Sequence, residues 1–112
     1  MKTAEAVKAL AALAQGTRLA VYRLLVQQGP DGMAAGAIAD RLDLPAATLS
    51  FHLKELSNAG MAQARQDGRF VYYSANYDRM NGLLGYLTEN CCQGSSATSA
   101  CAPGLQLKRK RA

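Results

Sequence analysis

The chain has 112 residues, which is enough for one domain and too few for two independent hydrophobic cores. Hydrophobic residues make up 49%, as in soluble globular proteins, and no apolar run approaches the ~20 residues that would cross a bilayer. The net charge is +5, but four positive charges lie at the extreme carboxyl end, which leaves +1 for the rest and excludes a uniformly basic body.

Two helices are predicted in the first 28 residues. Residues 1–13 are rich in alanine and leucine and place Val7, Leu10 and Leu13 on one side. This segment has charged residues and no uninterrupted apolar stretch, so we do not expect a signal peptide and we expect a cytoplasmic protein without a membrane partner. Thr17 is a candidate cap for a second helix, which ends at a Gly-Pro-Asp-Gly turn after residue 28.

Two further helices, separated by a tight turn, are predicted over residues 35–42 and from Pro45 to about Asn58. Each has one apolar stripe at helical spacing. The stripes are Ala35, Ile38, Ala39 and Leu42 in the first helix, and Ala46, Leu49, Leu53 and Leu56 in the second. Gly60 supplies the cap that ends the second helix.

The spacing of the apolar residues no longer fits a helix after residue 60. Residues 61–66 and 70–75 are strand candidates around Asp67-Gly68, a dipeptide that favours a hairpin turn. A last helix is predicted over residues 77–90, with one apolar face formed by Met80, Leu83, Leu84 and Leu87. We therefore predict a mainly α fold with a two-stranded β-wing. This winged helix-turn-helix would occupy residues 1–92, for DNA binding and dimerisation, and residues 93–112 would form a flexible tail that carries Cys101 and the basic end.

The second helix of such a pair buries one face and offers the other to the major groove of double-stranded DNA. The face opposite its leucines carries Ala47, Phe51 and Lys54, and it is flanked by Thr48, Ser50 and His52. Small residues let the helix approach base edges, hydroxyl groups can bond bases or phosphate, and a lysine can neutralise a phosphate.

Two arginines, Arg65 and Arg69, surround the predicted wing turn and are candidates for contacts to phosphate or the adjacent minor groove. Three alternatives stay open. Phe51 could pack under the wing, His52 could be a structural hydrogen-bonding residue, and the basic tail could be a solvated end or a supplementary phosphate contact.

The run ATLSFHLKEL over residues 47–56, followed by Ala59-Gly60-Met61, resembles the signature of the ArsR/SmtB repressors. So do Arg18-Leu19 with Leu24-Leu25 upstream, and Asp67-Gly68-Arg69 with Tyr72-Tyr73 in the wing. The resemblance covers nearly all of residues 8–92. It implies a homodimer whose first and last helices form the interface, an inverted-repeat operator, and repression that a metal or metalloid relieves.

Three cysteines, Cys91, Cys92 and Cys101, lie close together near the carboxyl end. Three thiolates suit a soft three-coordinate centre such as As(III) or Sb(III), whereas a structural zinc usually takes four protein ligands. Many arsenic-responsive members of the family have a Cys-Val-Cys motif in the segment that corresponds to residues 36–42, which has no cysteine here. The sequence instead resembles a subgroup with a Cys-Cys pair beyond the last helix and a third cysteine further on. The resemblance implies As(III), or Sb(III), as inducer and no organic cofactor.

Other functions remain as alternatives. A thiol redox-sensing repressor would pair Cys101 with Cys91 or Cys92 in a reversible disulfide. A metal-sequestering protein would use the same thiols without specific DNA binding, and unengaged thiols are the simplest alternative. We do not expect an enzyme, because the sequence has no acid–base pair, no phosphate-binding glycine loop and no nucleophile with a nearby base.

Overall fold

The computed structural model describes residues 1–94, which form a mostly helical fold with a small antiparallel sheet. In chain order its elements are α1 (Thr3–Leu13), α2 (Gly16–Gln28), β1 (Met33–Ala34), α3 (Ala35–Leu42), α4 (Ala46–Asn58), β2 (Ala62–Asp67), β3 (Phe70–Ala75) and α5 (Tyr77–Thr88). Cys101 and the basic end, both assigned to the predicted tail, lie outside the described residues. Within residues 1–94, no helix is long and apolar enough to span a membrane.

The sheet contains the predicted hairpin and one strand that the sequence pattern does not reveal. β2 and β3 pair antiparallel around a turn in which Gly68 has φ +66°. β1 pairs with the other side of β3, with Met33 opposite Tyr73, so the strand order is β1-β3-β2. The sheet therefore has three strands where two are predicted, because a strand of two residues is too short to show a period of two.

Helix α2 begins one residue earlier than its predicted cap. Gln15 is the capping residue, and its side-chain oxygen accepts a hydrogen bond of 2.8 Å from the backbone N–H of Arg18. Thr17, the predicted cap, lies inside the first turn of the helix. Side-chain oxygens at this position satisfy N–H groups that have no partner within the helix, so a glutamine can take the place of the expected threonine.

The core forms where α1, α2, α3 and α4 meet the start of the wing. Its largest fully buried side chains are Val21, Leu25, Ile38, Leu49, Leu53, Leu56 and Met61. The fully buried residues of helix α1 are alanines, Ala6, Ala9 and Ala12, and small side chains let that helix approach its neighbours closely. Of the predicted apolar side of α1, only Leu13 packs against the core, and it is half-buried.

Exposed apolar side chains on α1 and α5 form what we call the α1–α5 apolar face. Its members are Val7, Leu10, Leu84 and Leu87, which are 41% to 59% exposed. The predicted single stripe of α5 is thus divided, because Leu83 is 5% exposed and packs inward. Large apolar side chains grouped on a surface mark an interaction site more often than scattered ones do.

Polar contacts hold α1 and α5 next to each other. The hydroxyl groups of Thr3 and Tyr86 lie 2.6 Å apart, and Arg79 lies 3.7 Å from the carboxylate of Glu5. The backbone N–H of Lys2 donates to the same carboxylate, at 2.9 Å. This hydrogen bond lowers the pKa of Glu5, and the charge of Arg79 lowers it further. The two helices that carry the apolar face are therefore neighbours in one protomer.

Candidate nucleic-acid interface and thiol pair

A tight turn sets the angle between α3 and α4. Asp43 adopts a left-handed conformation (φ 54°, ψ 52°), which aspartate tolerates better than most residues. The backbone N–H groups of Asp43 and Leu44 donate to carbonyl groups of α3 and close that helix. Pro45 then precedes α4 in an extended conformation. The two helices and this turn form a helix-turn-helix.

Helix α4 has the two faces that a recognition helix needs. Leu49, Leu53 and Leu56 are buried and hold the helix against α2 and the wing. The opposite side is exposed along the first three turns, and Phe51 is 56% exposed, so it does not pack under the wing. The predicted residues that share this exposed side are Ala47, Thr48, Ser50, Phe51 and Lys54.

His52, which also belongs to the predicted DNA-binding set, does not lie on that exposed side. It is 7% exposed, and its Nδ1 lies 3.1 Å from a terminal nitrogen of Arg18. The signal for this was present in the sequence, since residue 52 follows Leu49 by three positions and precedes Leu56 by four. The structural role that the sequence left open is the one that the burial of His52 supports.

Arg18 is the residue at this site that the motif analysis did not assign a role. Its Nε donates to the carbonyl oxygen of Ala12 at the end of α1, at 2.7 Å, while its terminal nitrogen meets His52. One guanidinium therefore links α1, α2 and the buried side of α4. In the sequence, the only signal for Arg18 was its position next to Leu19 in the motif that resembles the ArsR/SmtB repressors.

The two predicted wing arginines have different surroundings. Arg65 donates to the carbonyl oxygen of Asp31 at 2.9 Å, lies 5.0 Å from the ring centre of Tyr72, and is 3.5 Å from the carboxylate of Asp67. These contacts hold Arg65 against the body of the domain, although half of its side chain remains exposed. The structure thus gives Arg65 internal partners that the prediction of a phosphate contact did not include.

Arg69 lies in the exposed wing turn, where a phosphate can reach it. Next to it, Phe70 is 56% exposed and stacks edge-on against Tyr72. Phe70 was not among the predicted site residues, although its position directly after the Asp67-Gly68 turn places it near the wing tip. The wing therefore presents one cation and one aromatic ring side by side.

The vicinal cysteines lie beyond α5 and are separated from it by Glu89 and Asn90, because the helix ends at Thr88 and not at the predicted residue 90. Cys92 is disulfide-bonded in the structure. The backbone N–H of Cys91 donates to the carbonyl oxygen of Thr88, and Asn90 and Cys92 both have positive φ angles (60° and 66°). This backbone brings the two Sγ atoms within 3.4 Å of each other. No group of three or more metal-binding side chains occurs within residues 1–94, and Cys101 lies beyond them.

An apolar cavity of about 320 Å³ lies between α2 and α5, and Leu84 of the α1–α5 apolar face forms part of its wall. Tyr22 also lines it, and its hydroxyl group is buried without a hydrogen-bond partner in the described part of the chain. Burial raises the pKa of Tyr22, and Tyr77 adds to the effect. The cavity therefore continues the apolar face into the protomer.

Comparison with protein families gives a match over residues 13–62 to a model described as a helix-turn-helix domain. The nodulation protein NolR of Rhizobium meliloti is 34% identical over 71% of this chain, which spans 63% of that relative. An uncharacterized HTH-type transcriptional regulator of Methanocaldococcus jannaschii is 32% identical over 79% of this chain and 97% of its own length. The arsenical resistance operon repressor of Bacillus subtilis is 32% identical over 72% of this chain and 73% of its own length.

Solved structures give the same result. An ArsR-like transcriptional regulator from Rhodococcus matches 96% of this chain and 86% of its own with a TM-score of 0.69, and its 23% identity makes this a likeness of fold. A homodimeric winged helix-turn-helix domain from Mycobacterium bovis, described as a possible ArsR-family regulator, matches 77% of this chain and 80% of its own at 30% identity, with a TM-score of 0.62. Together with the exposed face of α4 and the wing, these matches show that the chain belongs to the ArsR/SmtB family of winged helix-turn-helix transcriptional regulators.

Proposed function

We propose that the protein is a homodimeric repressor that binds double-stranded operator DNA and leaves it when As(III), or Sb(III), binds Cys91, Cys92 and Cys101. It needs no organic cofactor and catalyses no reaction. Because its partner is DNA, the proposal places it in the cytoplasm.

The exposed side of α4 is the observation that carries the proposal. Thr48 and Ser50 lie near the amino end of a helix whose opposite side is buried, and Lys54 extends the same exposed side by one turn. Helices with this division place their amino-terminal residues against base edges in the major groove. Arg69 in the exposed wing turn adds a second positive charge for phosphate contact. Such a local patch suits a domain whose net charge is small.

The α1–α5 apolar face supports the dimer. Four large apolar side chains on two neighbouring helices remain exposed in the protomer, and a second copy would remove them from water. The Mycobacterium bovis domain of the same architecture is described as homodimeric. A two-fold dimer presents two recognition helices related by symmetry, so the operator is expected to be an inverted repeat.

The chemistry of the vicinal cysteines supports a metalloid inducer of the reduced protein. Once reduced to thiols, Cys91 and Cys92, whose Sγ atoms lie 3.4 Å apart in the structure, would both be able to hold one soft centre. Thiolates prefer soft centres, and Cys101 offers the third ligand. The Bacillus subtilis relative is named as an arsenical resistance operon repressor, which supports the same class of inducer.

The position of the cysteines suggests how As(III) binding would change the affinity for DNA. Cys91 and Cys92 lie within four residues of the end of α5, and α5 carries half of the α1–α5 apolar face. A centre bound there would change the end of a dimerisation helix and so the relative orientation of the two copies of α4. Coupling of this kind is typically worth about 1–3 kcal/mol, which is about 5- to 150-fold in DNA affinity.

The proposal is tested by fluorescence anisotropy with labelled upstream DNA and reduced protein, titrated with As(III). We expect the wild-type protein to lose DNA affinity by about 5- to 150-fold. The variants Cys91→Ser, Cys92→Ser and Cys101→Ser are each expected to bind DNA normally and to lose the response, because each removes one of three thiolates. Gln93→Ala, one residue beyond the vicinal pair, is the matched control and should respond like the wild type.

Three outcomes would contradict parts of this account. DNA binding that As(III) leaves unchanged would refute the inducer. Release by an oxidant in place of As(III), lost in the same cysteine variants, would identify a thiol redox-sensing repressor. Tight As(III) binding without specific DNA binding would identify a metal-sequestering protein.

A further inference from the structure

The wing extends away from the core as a hairpin, and only its base is fully buried. Ala62 at the start of β2 and Ala75 at the end of β3 are 5% and 1% exposed, whereas residues 63–70 are all exposed. Six residues of antiparallel strand span about 20 Å, and the major groove of B-DNA is about 12 Å wide. β2 packs against α4. With α4 in a major groove, the wing tip would therefore extend past the phosphate strand to the adjacent minor groove.

The apolar group at this tip is Phe70. It follows Arg69 directly, pairs with Asp67 across the turn, and is 56% exposed. A phenylalanine ring buries a large apolar area when it leaves water, so its exposure at a tip is unfavourable in the free protomer. Within residues 1–94, Phe70 belongs neither to the hydrophobic core nor to the α1–α5 apolar face that we assign to the dimer. The ring therefore remains available to a partner of the wing.

A series of contacts across the wing holds this ring in place. Phe70 and Tyr72 lie two residues apart on one face of β3, and their ring centres are 6.5 Å apart with the planes at 68°. On β2, Arg65 is paired with Tyr72, and its guanidinium group lies 5.0 Å from the centre of that ring. Arg65 in turn donates to the carbonyl oxygen of Asp31, at 2.9 Å. Because these contacts already restrict the ring, little conformational entropy would be lost when it binds.

We propose that Phe70 is an apolar wedge that enters the minor groove beside each half-site of the operator, partially unstacks a base step there and bends the DNA. Apolar side chains inserted in this way kink a duplex by about 20–90°. The steps that unstack most easily are pyrimidine–purine steps, TA and CA/TG. The wedge therefore selects for such a step at a position that makes no hydrogen bond to the protein. The inference deepens the proposed function and rests on it.

Resonance energy transfer between dyes at the two ends of the upstream DNA measures the bend, with saturating reduced protein and without As(III). We expect the wild-type protein to bend this DNA by about 20–90°. Phe70→Ala should bend it less while it still prefers the upstream DNA to a scrambled duplex. Phe70→Leu keeps an apolar wedge and should bend the DNA like the wild type. Both variants should fold, because more than half of the residue already faces solvent, and circular dichroism checks this.

Arg69→Ala is the matched control, since it removes a charge from the same turn and keeps the ring. We expect it to weaken binding to every duplex and to reduce the salt dependence by about one phosphate contact, with the bend unchanged. A bend that is lost in Arg69→Ala and kept in Phe70→Ala would show that neutralised phosphates bend the DNA, and it would overturn the wedge.

Permanganate oxidises unstacked thymines, and each of the flexible steps contains a thymine on at least one strand. We expect reactive thymines in the complexes of the wild type and Phe70→Leu, and loss of that reactivity with Phe70→Ala. A straight wild-type complex, or equal bend and equal reactivity in wild type and Phe70→Ala, would overturn the inference and leave the repressor intact. If the wild-type protein showed no preference for the upstream DNA, the proposed function would fail and this inference with it.

Discussion

Replacing Leu84 by glutamate should separate the dimer and lower operator affinity by about a hundredfold or more. Leu84 is 54% exposed on the α1–α5 apolar face and lies at the wall of the cavity between α2 and α5. A carboxylate there would have to be buried without a partner when two copies meet, which is costly. A monomer reads only one half of an inverted repeat, and loss of such bivalent binding typically reduces affinity about 10²- to 10⁴-fold.

Sedimentation velocity and anisotropy on the same samples measure both effects. Leu84→Met keeps an apolar side chain of similar size and is the matched control, expected to remain dimeric with nearly unchanged affinity. The glutamate variant should stay folded, because more than half of the side chain already faces solvent within the protomer. A Leu84→Glu protein that remains dimeric and binds the operator at full strength would show that the interface lies elsewhere.

The second large effect is expected at Gly32, in the turn before β1. Gly32 has φ +83°, and a Cβ atom at this position would lie 2.6 Å from the carbonyl oxygen of Tyr73 in β3. Alanine at position 32 would therefore be unfavourable for two reasons. L-residues rarely adopt a positive φ, and the added Cβ would clash with the backbone of Tyr73, which cannot rotate aside as a flexible side chain can. We expect Gly32→Ala to lower the free energy of unfolding by about 3 kcal/mol and to loosen the pairing of β1 with β3.

A matched control at Gly68 separates the effect of the positive φ from the effect of the collision with β3. Gly68 in the wing turn also has a positive φ of +66°, but a Cβ atom there would meet nothing within 4 Å. Gly68→Ala should lower the free energy of unfolding only by the cost of placing alanine at a positive φ, about 1–2 kcal/mol. Urea unfolding at equal protein concentration measures both variants, since the stability of a dimer depends on concentration. Equal losses in the two variants would contradict the collision at β3.

The main elements could be predicted because each has a strong local signal. The leucines of α4 repeat at helical spacing and do pack inward, and the Asp67-Gly68 dipeptide does join two strands. β1 could not be predicted, because its pairing with Tyr73 depends on contact between distant segments. Arg65 shows the same limit, since its bond to Asp31 exists only after the turn before β1 has been placed beside the wing.

The spacing of apolar residues along a helix also does not show what its apolar face packs against. In α1 the larger residues Val7 and Leu10 repeat on one side, yet the alanines Ala6 and Ala9 face the core. The pattern therefore identified a real apolar side but not whether it packs within the protomer or against a second copy. His52 is the opposite case, because its helical spacing already placed it with buried leucines while its chemistry drew attention to DNA.

Together, the candidate sites suggest a path by which a bound inducer would change the position of the DNA-binding helices. The cysteine pair lies just beyond α5, α5 and α1 carry the apolar face, and Arg18 connects α1 to α4 through His52. Under the proposed function, a centre bound at the cysteines would act on the dimer and so on the spacing of the two copies of α4, which would set the fit to an inverted repeat.

The measurement that tests the central claim most directly is the ratio of affinities for the upstream DNA and for a scrambled duplex of equal length, at one fixed salt concentration. We expect the reduced wild-type protein to prefer the upstream DNA by about 10³-fold or more. The double variant Thr48→Ala, Ser50→Ala should lose most of that preference, whereas Lys54→Ala should weaken both complexes alike. Equal affinity of the wild-type protein for the two duplexes would contradict the assignment of α4 as a helix that reads an operator.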